Sequence, residues 1–138
     1  MTARALALAA LAGCVGNAAV DPPALDRDLF AARVQPVLAA RCASPACHGS
    51  DRRRLRVYAP GLFRSDPART HRDEPLTDGE LDANARSAAA FAQEVSPEES
   101  LLVTKPLGRV PHLGGRVFAS VDDGCDALVA WLRTAEGP

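Results

Sequence analysis

Two thiols and an imidazole fall within seven residues at Cys42-Ala-Ser-Pro-Ala-Cys47-His48, directly after a stretch with helical periodicity. Donors packed that closely commit the segment to a disulfide, a metal ion or a covalently held cofactor. The rest of the chain shows why such a staple is wanted. Of 138 residues 47% are hydrophobic, but only six are aromatic and much of the remainder is alanine, which buries little area per residue. That length suits one compact domain, and a thin core in a small domain calls for outside support. Lys plus Arg number 16 against 17 Asp plus Glu, a balance that offers nucleic acid no electrostatic handle. Apolar content at this level also argues against disorder.

Arg4 is the only charge before Asp21, and the apolar run from Ala5 to Ala12 ends in Gly13-Cys14. So short a run does not cross a bilayer, which takes roughly 20 residues. A positive start, an apolar middle and a small-residue exit read as a secretory signal peptide over residues 1–13. Leu11-Ala12-Gly13-Cys14 resembles the lipobox of bacterial lipoproteins, which implies lipidation of Cys14 and cleavage just before it. The chain is then expected in the cell envelope, periplasmic or associated with the outer membrane, held by acyl chains rather than by a span. Residues 14–25, with Pro22 and Pro23 and no apolar period, read as a tether, and the folded domain as 26–138.

Within that domain the pattern is mainly α. Phe30, Val34 and Val37 have the spacing of one helix face, and Pro36 is expected to kink or end that helix. Residues 50–76 are rich in Arg, Asp and Pro with no helical period, although Leu55 and Val57 alternate with arginines as in a short strand. Thr77-Asp-Gly-Glu80 is a capping box that predicts a helix from about Asp78 to Phe91. Ser96-Pro97-Glu98-Glu99 predicts a second start, with Ser96 as N-cap. Residues 105–120 are a loop of turn residues that carries His112. Asp122 or Asp123 is placed to cap a last helix on which Cys125, Leu128 and Leu132 share a face with Trp131 beside them.

The order of these pieces resembles a known group. Phe30, Val34, Pro36-Val37-Leu38 and then Cys42, Cys47-His48-Gly49 look like the start of the monohaem cytochrome c-like domains of bacterial surface and periplasmic proteins. Pro97-Glu98, Ser100-Leu101-Leu102, Lys105-Pro106, Pro111-His112, Gly114-Gly115 and Trp131-Leu132 are similar to the same group, planctomycete-type domains included. The likeness runs from Phe30 to Leu132, with C-x4-C-H where the usual spacing is C-x-x-C-H. It implies a small helical cytochrome c fold whose first and last helices pack near one haem c, with thioethers at Cys42 and Cys47 and His48 as proximal iron ligand. The only methionine is Met1, lost with the signal peptide, so the sixth ligand is sought among His112, His71 and Lys105, with His112 first, or the position is open. The function implied is electron transfer to a redox partner protein by a membrane-anchored carrier, with no catalytic acid, base or nucleophile in view.

Two other classes stand beside it. In an oxidising compartment Cys42 and Cys47 suit a structural disulfide in a cofactor-free surface lipoprotein. Cys42, Cys47, His48 and His112 also make a four-ligand set for zinc, although adjacent Cys47 and His48 are awkward around one tetrahedral ion. The run Arg52-Arg53-Arg54 with Arg56 could pair with haem propionates or dock an acidic redox partner, but such a run first reads as a solvated face, and Trp131 and Cys125 read as core.

Overall fold

The computed structural model describes residues 24–92, 96–119 and 123–136; Cys14, the signal peptide and most of the tether lie outside them. The fold is mainly α, with no strand among the described residues. Asp26 caps the N-terminal helix, its carboxylate accepting from the Leu29 N–H at 2.8 Å. The helix runs through Arg27–Leu29, a π-helical turn at Phe30–Val34, and Gln35–Arg41. Pro36 does not end it, falling instead in the first turn of Gln35–Arg41. The wider turn just upstream accommodates a residue that cannot donate to the fourth residue before it. One extra residue in that turn rotates the face, so Phe30, Val34 and Leu38 are the buried positions while Val37 is only partly covered.

The first and last helices pack together. The C-terminal helix Asp123–Leu132 sets Trp131 against Phe30, ring centroids 4.9 Å apart and tilted 55°, and the indole N–H donates to the Asp26 carbonyl at 2.9 Å. Trp131 and Leu128 are 1% exposed, and Cys125 is buried on the same stripe. The expected cap at Asp122 lies outside the described residues.

Between these helices the chain is held by polar knots. The central helix Asp78–Ala89 starts with the expected capping box: Thr77 Oγ1 accepts from the Glu80 N–H while the Glu80 carboxylate accepts from the Thr77 N–H. Glu80 does more than cap. Buried at 1% exposure, it takes two hydrogen bonds from the Arg64 guanidinium, at 2.7 and 3.0 Å, and two more from the Ser65 N–H and hydroxyl. Arg64 spends its other donors on the Glu74 and Pro75 carbonyls, so one ion pair ties a loop without internal periodicity to a helix start.

A second knot joins Gln35, Tyr58 and Asn84. Asn84 Nδ2 donates to Gln35 Oε1 and to the Tyr58 carbonyl, both at 2.8 Å, and the Tyr58 N–H donates back to Asn84 Oδ1. Leu55 and Val57 do not form the short strand their alternation suggests. The Val57 N–H donates to the His48 carbonyl instead, and Val57 is buried as a loop residue. Ser96 makes no side-chain cap; Ser100 supplies it, accepting from the Leu102 N–H at the start of Leu101–Thr104 after a 3-10 turn at Pro97–Glu99.

Candidate functional site

The N-terminal helix ends at Arg41, and the chain folds at once into a compact turn. Cys42 and Ala43 N–H groups both donate to the Leu38 carbonyl, the His48 N–H donates to the Cys42 carbonyl at 3.0 Å, and the Gly49 N–H donates to the Ser44 carbonyl at 3.0 Å. Gly49 closes this turn because nothing larger fits: a Cβ there would stand 2.0 Å from the Ala43 carbonyl oxygen, which is backbone and cannot swing aside. Gly49→Ala is therefore expected to displace the Cys47-His48 segment and to destabilise the domain by about 1–3 kcal/mol. Thermal unfolding of the variant beside the parent checks this; an unchanged midpoint contradicts it.

His48 is half-buried, and its Nδ1 lies 2.9 Å from the Leu55 carbonyl oxygen. A carbonyl only accepts, so Nδ1 carries the proton and Nε2 the lone pair. Burial lowers the pKa of this imidazole, with the charges of His112, Arg53 and Lys105 acting in the same sense against the Leu55 hydrogen bond. Burial likewise pushes the Cys42 thiol up to about 11, aided by neighbouring Cys47 and opposed by Arg41. Cys42 is accordingly a thiol at neutral pH. Neither Cys42 nor Cys47 is bridged.

Opposite stands His112, from a loop some sixty residues later. Its Nδ1 lies 2.8 Å from the Gly115 carbonyl oxygen, so its tautomer is set in the same way. The Gly115 N–H donates to the His112 carbonyl at 2.9 Å, and Gly115 has φ of +67°, a conformation that side chains other than glycine's rarely tolerate. Gly114 backs the ring: a Cβ there would fall 3.1 Å from His112 Cε1. The two imidazole planes are 10° from parallel and their centroids 6.1 Å apart. An ion bound at about 2 Å by a nitrogen of each ring spaces the centroids by about 6 Å. Each Nδ1 anchored to a carbonyl and each Nε2 left with its lone pair is the arrangement of histidines that ligate a metal.

Both rings line a cavity of about 630 Å3, a size typical of sites for small molecules and cofactors. Cys42 and Cys47 are in its wall. Leu38, Leu55, Phe91, Leu102, Phe118 and Leu128 supply much of its apolar surface, drawn from three helices and three loops. Its charged lining is Arg41, Arg53, Arg54 and Lys105, with no carboxylate. Arg53 and Arg54 line the cavity while remaining exposed, as a solvated run would be; Arg56, also exposed, lies over the Tyr58 ring, 5.6 Å from its centroid.

The tetrahedral zinc set does not assemble. Among the described residues no three His, Cys, Asp or Glu side chains converge as a metal-binding group, so Cys42, Cys47, His48 and His112 ring a cavity without meeting at a point. His71 is exposed with φ of +68° and does not line the cavity, whereas Lys105 does. The cavity thus brings together two imidazoles, two thiols, an apolar wall and four basic side chains, with no carboxylate in its lining. Compared with protein-family models, curated proteins and solved structures, the chain has no match.

Proposed function

We propose that the chain is an electron-transfer c-type cytochrome that holds one haem c between His48 and His112. The observation that carries this reading is the pair of nearly parallel imidazoles with centroids 6.1 Å apart and both Nδ1 atoms pinned to backbone carbonyls. Cys42 and Cys47 supply thiols for two thioether bonds, and Arg41, Arg53, Arg54 and Lys105 supply cations for the propionates. The group brings reversible one-electron chemistry; the chain positions it, excludes water along the apolar wall and keeps both imidazoles in the ligating tautomer. Two nitrogen ligands favour a lower potential than a His and Met pair, since thioether ligation raises it. Acyl chains on Cys14 anchor the carrier to a membrane of the cell envelope, and its redox partner is a protein.

Protein produced in a host with cytochrome c maturation is expected to show a haem spectrum that persists after denaturation, with peptides around Cys42 and Cys47 carrying the mass of the macrocycle. A colourless product with a Cys42–Cys47 disulfide in the peptide map overturns the proposal in favour of the cofactor-free lipoprotein. Cys14→Ser is expected to abolish processing and membrane retention. Continued partition with membranes and a trimmed N-terminus in that variant would refute the anchor.

A further inference from the structure

We propose that the mouth of the cavity is a docking face for an acidic protein that exchanges electrons with this one. Its identification as an electron-exchange partner rests on the reading above, while the docking face itself rests on charge. Residues 41–58 and 100–119 carry eight of the chain's cations and a single acid, Asp51, although the formal net charge is −1. The remaining sequence therefore holds eight cations against sixteen acids. Charge so segregated makes a strongly dipolar molecule, which orients a charged partner before contact.

The fold brings the two basic segments together. Arg53, Arg54 and Lys105 line the cavity, and Arg109 and Arg116 line an adjoining open cleft that shares Pro111 and His112 with it. None of these five forms an ion pair among the described residues, whereas Arg69 and Arg72 pair with Glu74 and Arg133 with Glu98. Two propionates neutralise at most two of the five. Between them, beside His112, Leu113 stands 93% exposed, the one large hydrophobic side chain so exposed among the described residues. An apolar tip within uncompensated positive charge suits a small, transient, electrostatically guided interface.

An anionic membrane would satisfy the same charge, but the topology favours a protein. Leu38 and Cys42, at one end of the N-terminal helix, line the cavity. Asp26, at the other end about 20 Å away, is the end to which Cys14 and its proposed lipid connect. The cavity therefore lies at the opposite end of the N-terminal helix from Asp26.

The test titrates the full chain at low salt with poly-L-glutamate, and separately with vesicles of phosphatidylglycerol and phosphatidylcholine, while amide chemical shifts are followed. Poly-L-glutamate is expected to shift residues 52–58 and 105–117, and the double variant Arg109→Gln with Arg116→Gln to bind about tenfold more weakly. Arg69→Gln with Arg72→Gln is expected to stay within about twofold of the parent, and salt to abolish binding. Equal weakening by the two pairs, shifts spread over the whole surface, or tighter binding to vesicles than to poly-L-glutamate would each overturn the docking face. None of these readouts involves iron. A chain without haem that binds in this pattern defeats the electron-transfer reading alone, and a haem-loaded chain that does not defeats the docking face alone.

Discussion

Replacing Glu80 with Ala is expected to cost about 3–5 kcal/mol, a large part of the stability of a domain this size, because Arg64 is left charged and buried without its partner. Arg64→Ala is expected to do comparable damage from the other side. The double change to apolar residues of similar volume should recover much of the loss, since both desolvation costs then vanish together. Chemical denaturation of the parent, the singles and the double measures this directly. Single variants within about 0.5 kcal/mol of the parent would show that the pair contributes only at its surface.

The same pair predicts a pH dependence. Hydrogen bonds from Arg64, with further ones from Thr77 and Ser65, hold the Glu80 carboxyl well below its usual range, outweighing the cost of burial. The unfolded chain then binds a proton more readily than the folded one, so this contribution is complete above the ordinary carboxylate range and is lost as pH falls below about 4.5. Glu80→Gln should flatten the acid limb of the stability profile. A profile of unchanged steepness contradicts the assignment.

The second large effect is spectroscopic. In haem-loaded protein, His112→Ala is expected to convert low-spin iron almost wholly to high-spin and to admit small exogenous ligands, while attachment at Cys42 and Cys47 persists. His112 is the replaceable side of the pair, since its ring is held within its own loop through Gly115, whereas His48 is braced by Leu55 and through Val57. Visible absorption with and without added imidazole reads the change. An unchanged low-spin spectrum would eliminate His112, and Lys105, which also lines the cavity, would be the next residue to replace.

Local physics is written locally, and those parts of the molecule were legible in the sequence. The capping box at Thr77 and Glu80, the apolar stripe of Leu128 and Leu132, and the clustering of Cys42, Cys47 and His48 each depend on residues a few positions apart. Where local signals failed, a distant partner had intervened. Leu55 and Val57 alternate like a strand, but among the described residues no strand pairs with them, and the Leu55 carbonyl and the Val57 N–H go to His48 instead. Pro36 reads as a helix breaker until the preceding π-turn absorbs its missing donor. Glu80 announces a cap and says nothing of Arg64, sixteen residues earlier. The sequence by itself determined the helical class and the cysteine-histidine segment, because capping, periodicity and tight turns are short-range. Only the tertiary structure decided that the His112 and His48 ring centroids stand 6.1 Å apart and that cations of two remote loops line one cavity. Those relations arise from the packing of the first helix on the last, across about a hundred residues of chain, and no local preference encodes them.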